Sequence, residues 1–447
     1  MRESVAKSID ALAGLDRSAL PGPESVLRQS LPNGIVVLSR ENSASPSVVI
    51  SGILPAGSIL DGREQAGLAS MTADALMRGT AKRSFQEIYE SIERVGASLG
   101  FGAGAHNVSF HARGLAEDLD LLLDLLREVL CEPTFPKAQI DLLRGERLTA
   151  LSVRDQNTGA RAEMAFNELA YPNHPYAIDG DGYLETVAGI TLRQLKDFHR
   201  RHYGPAGLIM AVAGSVTAQR AADAVAARFS GWQNPHQKAL PQLPQLAKRS
   251  ASQRVDVPLP GKSQCDLVLG APGPSRFDEC YLAAVLANNI LGRFGLMGRI
   301  GDALRTKAGL AYYAYSRLAG GPGPGPWMVI AGVNPAALAR ACELAVREIR
   351  RFVTRRVSSE EMEESQASII GSLPLQLETN DGVAGALLRL ERYGLGLDYY
   401  RRFPDLMLAI TRDDVLGMAG HFLDPDALAI ASAGPVQSAA HAAGQSA

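Results

Sequence analysis

Few side chains in this sequence have the type and spacing that could do chemistry. Ser70, Ala73 and Asp74, in GLASMTADALMRGT (67–80), stand at i, i+3 and i+4, so a helix there carries them on one face. Such a face can hold a divalent ion between two imidazoles, with a carboxylate beside it to take a proton from bound water. This face offers at most one good ligand, Asp74, and Ala73 cannot accept a proton. Ser70 as a nucleophile would need a nearby base and an oxyanion hole, and the sequence shows neither. In LRTKAGLAYY (304–313), Arg305 and Tyr312 supply a guanidinium and a phenol with six residues between them, a spacing that by itself also suits the end of a helix and the start of a strand. His199 and His202 are spaced for a metal pair in principle, but RRHYGP reads as the solvated end of a helix. His106 and His111, an odd number of residues apart, fall on opposite faces of one strand. Cys131, Cys265, Cys280 and Cys342 show no CxxC spacing, which argues against a disulfide framework or a zinc ribbon and for buried free thiols.

These residues need elements to position them. SVLRQSLPNGIVVLSREN reads as a hairpin turned by Pro32, Asn33 and Gly34, and SVVISGILPAGS as a strand. A helix over 67–79 follows, then a Ser-capped helix over 84–97 and paired strands in ASLGFGA and NVSFHARG. Helical patterns cover 115–130 and 137–170, the second broken at RDQNTG. A capped helix then ends before Pro205, and LIMAVAGSV is a buried strand. Residues 234–262, rich in Pro, Gln and Lys and poor in periodicity, read as a linker. Beyond it, CDLVLGAPGPS and DECYLAAVLANNILG repeat the strand, turn and helix of VVISGILPAGS and QAGLASMTADAL, and ALAIASAGPV parallels LIMAVAGSV. Strands AYYAYSRLAG and WMVIAGV flank GGPGPGP (320–326), read as a rigid surface turn, with the lining of a substrate chamber as the alternative. A long helix over 335–354 and one capped by Ser358 and Glu361 come next. The expected fold class is α+β. Two homologous α/β domains, 25–233 and 263–440, each pack a mainly antiparallel sheet with helices and together make half of a clamshell.

The frame from Gly67 to Thr80 resembles, without a gap, the G-L-A-H-x-x-E-H helix followed by G-T of the pitrilysin-type (insulinase-family) zinc metallopeptidases. By that resemblance, Ser70 replaces the first histidine, Ala73 the general-base glutamate and Asp74 the second histidine. The family's third ligand is a glutamate seven places after another glutamate on a later helix. Glu146 matches the earlier one and Val153 stands at the ligand position. No glutamate lies between 147 and 162, so a slipped register does not restore the ligand. Arg305 and Tyr312, with NNILG before them and NDGVAGALLRLERYGLGLDYY after, resemble the family's second catalytic element, which holds the substrate backbone and stabilises the oxyanion.

In that family the metal helix and the Arg–Tyr pair come from opposite halves of a closed clamshell. The resemblance therefore implies a subunit that binds no zinc, inactive alone. It would pair with a homologous zinc-bearing subunit and lend Arg305 and Tyr312 to the cleavage of a peptide. No cofactor is expected in this chain, and zinc is expected in the partner. The ASLGFGA strand could capture an extended peptide by strand addition. The alternative is a purely structural subunit, similar to the core proteins of the respiratory bc complex.

Composition bounds the rest. At 447 residues the chain has room for at least two cores. The 45 basic and 47 acidic residues leave a formal charge of −2, which gives nucleic acid or an anionic membrane no field to bind. No apolar run approaches a membrane span, and the opening MRESVAKSIDALAGLDRSAL lacks the basic-then-apolar order of a secretory signal. A cytoplasmic location is expected, or a periplasmic one if a signal precedes this sequence.

Overall fold

The computed structural model describes residues 17–435. Most of the opening segment read for a secretory signal, and the expected domain end at 440, lie outside the described residues. The first half is built on strands β1 (Leu27–Ser30), β2 (Val36–Glu41), β3 (Ser47–Leu54), β4 (Ser98–Ala103), β5 (Val108–Leu115) and β6 (Ile209–Gly214), in the order β1-β2-β6-β3-β5-β4. Its helices are α1 (Leu68–Ala75), α2 (Phe85–Glu93), α3 (Leu119–Cys131), α4 (Lys137–Arg154), α5 (Thr158–Ala170), α6 (Leu184–Gly189), α7 (Leu192–His202) and α8 (Ala218–Phe229). The second half carries β7 (Gln253–Pro258), β8 (Cys265–Pro272), β9 (Ala311–Leu318), β10 (Pro326–Val333) and β11 (Ala429–Gly434), in the order β7-β11-β8-β10-β9. With them come α9 (Tyr281–Gly292), α10 (Phe294–Gly301), α11 (Leu338–Thr354), α12 (Ser359–Gln376), α13 (Asn380–Arg392), α14 (Tyr399–Leu408) and α15 (Arg412–Phe422).

Apart from β1, an antiparallel edge strand without a counterpart, the two sheets share one topology. In each a single parallel pair, β2 with β6 and β7 with β11, precedes three antiparallel neighbours. The repeated sequence pattern is therefore a repeated architecture, with β3 and α1 answered by β8 and α9. One face of the first sheet packs on helices of its own half, through residues such as Ile50, Leu122 and Val225.

The other face of each sheet is covered by a helix from the opposite half. Leu38, Val49, Ala211 and Ala213 of the first sheet pack against Val383, Ala384 and Leu387 of α13. Val268, Met328, Ala431 and Ala433 of the second sheet pack against Ala162 and Phe166 of α5. Small side chains on the strands bring each visiting helix close. Polar anchors fix its start: Asn380 donates to Ser47 Oγ at 2.9 Å, and Thr158 donates to Asp266 at 2.5 Å.

Four sequence readings change. The stretch 234–262, read as a linker, holds strand β7 at Gln253–Pro258, which pairs in parallel with β11 and so belongs to the second sheet. His106 lies in the turn before β5 rather than on that strand, and its Nε2 bonds the Tyr176 hydroxyl at 2.5 Å. His199 is not solvated: its Nε2 meets the Leu130 carbonyl at 2.8 Å, and its ring stacks on Tyr203. The GGPGPGP turn is no free surface loop, because Tyr171 donates to the Pro324 carbonyl and Gly323 lies against Tyr176, where a Cβ would overlap the hydroxyl.

Candidate active site

Helix α1 begins at Gly67, in a left-handed conformation (φ 93°) that favours glycine; a Cβ there would stand 2.8 Å from the Asp181 carbonyl oxygen. The buried Asp61 carboxylate caps this end, both oxygens 3.1 Å from the Ala69 N–H. Burial raises its pKa to about 7, against the backbone N–H groups of Ala69, Gly67 and Leu68, which favour the charged form.

One turn along α1, Ser70 and Asp74 face Arg147 of α4. Its Nη1 donates to Asp74 Oδ2 at 2.8 Å, and its Nη2 donates to Ser70 Oγ and lies 3.4 Å from Asp181 Oδ1. Ser70 donates in turn to Asp181 at 3.0 Å. Burial pushes the Asp74 carboxyl above its ordinary pKa, and the Arg147 charge opposes that rise. Beside this group, Arg78 holds Glu146 at 2.5 Å. Ala73 is fully buried and Val153 is largely exposed.

The structure thus brings Ser70 and Asp74 together, leaves Glu146 next to them in a separate ion pair, and turns Val153 outward. As a donor set these residues do not fit zinc. A fixed cation already sits among the oxygens, no imidazole is present, and Ala73 and Val153 bring no donor atom. Among the described residues no group of three or more His, Cys, Asp or Glu side chains is arranged to hold a metal ion.

Sequence reasoning missed Arg147 and Asp181. An acid such as Asp74 on the packed face of a helix is itself a signal for a cationic partner. Helix α4 also carries Arg144 and Arg154, however, and only the packing of α4 on α1 selects Arg147.

Arg305 and Tyr312 stand on unusual backbone. Helix α10 runs into a π-helical turn, Asp302–Lys307, which carries Arg305 exposed at its rim. Leu304 is buried beneath it, and Lys307 pairs with Asp302 at 2.5 Å. Tyr312 is the extra residue of a β-bulge: Tyr313 pairs with Gly332 and Ala311 with Val333, so Tyr312 faces no partner on β10. It is 81% exposed, whereas Tyr313 beside it donates to the buried Asp266. The Arg305 carbonyl accepts from the Gly309 N–H at 3.1 Å, but among the described residues neither the Arg305 guanidinium nor the Tyr312 hydroxyl makes a hydrogen bond or ion pair within the chain. A cleft of about 420 Å³ opens between the halves, lined by His106, Tyr176, Asp179, Asp181 and the 320–326 turn. Strand β4 lies at the free edge of the first sheet, as strand addition requires.

Two sheets packed by helices define a two-domain mixed α/β chain. Residues 36–179 match the model described as insulinase (peptidase family M16), and residues 189–369 match the peptidase M16 inactive domain. The chain belongs to the M16, or insulinase, family of peptidases. It is 26% identical over 407 residues to an uncharacterized zinc protease of Streptomyces coelicolor, covering 89% of this chain and 87% of that one. A crystal structure of a peptidase M16 inactive domain from Pseudomonas fluorescens superposes with a TM-score of 0.85 at 28% identity, covering 92% of this chain and 99% of that one. Subunit 1 of the bovine mitochondrial cytochrome b-c1 complex is 24% identical, over 61% of this chain and 56% of its own length.

Proposed function

We propose that this chain is the non-zinc-binding subunit of a heterodimeric metallopeptidase, and that Arg305 and Tyr312 act in the site of a homologous zinc-bearing partner. The observation that carries the reading is a contrast. The ligand positions of α1 are closed by the Arg147 guanidinium, whereas Arg305 and Tyr312 stand exposed with their donors unused within the chain.

Arg305 can bind a peptide carbonyl through its charged N–H fork, and the Tyr312 phenol can donate to the oxygen that becomes negative at the scissile carbonyl. The attacking water would be activated on the partner's zinc. An extended peptide can add to the open edge of β4 and so be held by its own backbone groups. Donors already oriented by a bulge and a helical turn need little reorganisation when charge develops, which is why they stabilise it well.

The test is to mix this chain with a homologous subunit bearing an intact H-x-x-E-H and follow cleavage of an internally quenched peptide. Each chain alone is expected to be inactive. Arg305→Ala and Tyr312→Phe are each expected to lower the mixture's turnover by about 10²–10³-fold. Unchanged turnover for both variants sinks the reading.

The similarity to a respiratory-complex subunit supports a second reading, a structural subunit without peptidase role. Under it, the mixture cleaves no peptide that the zinc-bearing subunit does not cleave alone. No helix among the described residues is long and apolar enough to cross a membrane.

A further inference from the structure

We propose, resting on the reading of Arg305 as a group lent to a partner's site, that Arg299 is its positioning residue: by pairing with Glu361 and Glu348, Arg299 clamps the segment 294–307 and sets where the Arg305 guanidinium points.

The segment needs such a clamp because both of its ends are weakly defined by their own backbone. At its start Gly295, Met297 and Gly298 have positive φ (58°, 73° and 61°), and at its end Gly309 does too (63°). A methionine rarely adopts that conformation, so surrounding contacts must hold it. Between these ends the chain is one continuous helical stretch, α10 followed by the π turn. Ile300 and Leu304 are fully buried in the second core. Apolar contacts of this kind resist withdrawal of the helix but fix its rotation poorly, because they have no direction.

Arg299 supplies the direction. Its Nε and Nη2 bond the two oxygens of Glu361 at 2.6 and 2.7 Å, a bidentate fork that fixes angle as well as distance. Glu361 is itself held, since it closes the capping box of α12 with Ser358 and accepts from the Ser358 N–H at 2.8 Å. Burial works against its charge, yet these bonds hold the Glu361 carboxyl at about 2. On the other side, Arg299 Nη1 faces Glu348 Oε1 of α11 at 3.9 Å, and the guanidinium lies 5.4 Å from the Phe352 ring centroid. The Arg299 side chain is 12% exposed, so an arginine released from these partners would be left buried and unpaired. Arg305 follows six residues later with no partner of its own, and its direction is therefore that of the segment.

The experiment is a double-mutant cycle in the peptide-cleaving complex with Arg299→Met, Arg305→Ala and the pair. Arg299→Met alone is expected to lower kcat/KM by about 10–100-fold, the effect of displacing a reacting group by roughly 1 Å. In the Arg305→Ala background it is expected to cost nothing further. Multiplying effects would mean that Arg299 acts through general stability, and would overturn the proposal. Should Arg299→Met fold poorly, Glu361→Gln replaces it, since glutamine can keep the cap while losing the charge.

A second measurement uses this chain alone. Amide exchange over 302–309 is expected to quicken in Arg299→Met while that of α1 and α4 stays as in the parent. Unchanged exchange over 302–309 refutes the clamp whatever the complex does. Loss of the Arg305→Ala effect in the complex, with exchange still quickened, refutes the partner reading instead.

Discussion

At Ser70, Asp74 and Asp181 one guanidinium satisfies three oxygens from two separate chain segments, at 14% side-chain exposure. It joins α1, α4 and the turn after Asp179, and its charge opposes the rise that burial imposes on the Asp74 carboxyl. Nearby, Asp61 meets the opposite fate, since its site favours the neutral acid. Its folded pKa, about 7, lies above the value of an unfolded aspartate near 4, so the folded state holds the proton more tightly. The stability this contributes is complete below about pH 4 and is lost as the pH rises through about 7. The expected outcome is that Asp61→Asn loses this fall in stability between pH 4 and 7. Urea midpoints of parent and variant across that range would check it, and parallel curves would contradict it.

The two elements that present Arg305 and Tyr312 are both departures from regular structure, and each is held by neighbours. Tyr312 is exposed because the bulge opposite Gly332 and Val333 lets Ala311 and Ala314 both face the helix-packed core while Tyr313 and Tyr315 pack on the α5 side. Gly332 is the contact that permits it, since a Cβ there would stand 2.6 Å from the Tyr313 ring and 2.7 Å from Gln264 Nε2. Gly332→Ala is therefore expected to cost about 1–3 kcal/mol of stability and to lower assisted peptide cleavage by shifting the bulge. A denaturant titration and the mixed-subunit assay together check this. A variant that keeps both stability and turnover would show that the bulge tolerates the methyl group.

Over the whole molecule, the exchange of α5 and α13 makes the halves interdependent. Without α13 the first sheet would expose Leu38, Val49, Ala211 and Ala213 to water, and without α5 the second would expose Val268, Met328 and Ala431. Each buried large side chain contributes about 1.5–3 kcal/mol, so an uncovered face removes much of the few kcal/mol by which domains are stable. Residues 17–240 and 241–435 produced as separate chains are expected to lack a cooperative unfolding transition alone and to regain one when mixed. Calorimetry would check this, and a sharp transition for either fragment by itself would contradict it.

Much of this was legible in the residues. The period-2 strands, the capping boxes at Ser84, Thr191 and Ser358, the break at RDQNTG and the repeat of VVISGILPAGS in CDLVLGAPGPS are local patterns, set by neighbours a few positions apart. The same holds for the composition of the 67–80 face, because i, i+3 and i+4 spacing needs no tertiary knowledge. Three-dimensional packing decided what local spacing cannot encode: that Arg147 and not Arg144 fills the space before Ser70 and Asp74, that His199 turns inward to Leu130, and that the glycine-rich turn rests on Tyr171. Each of these pairs residues tens to more than a hundred positions apart, whose meeting depends on how helices and sheets stack. The amino-acid sequence alone determined which side chains the 67–80 face carries, since residue type and spacing suffice for that. Only the tertiary structure decided which cation they meet, because a guanidinium's partners are chosen by distance in space.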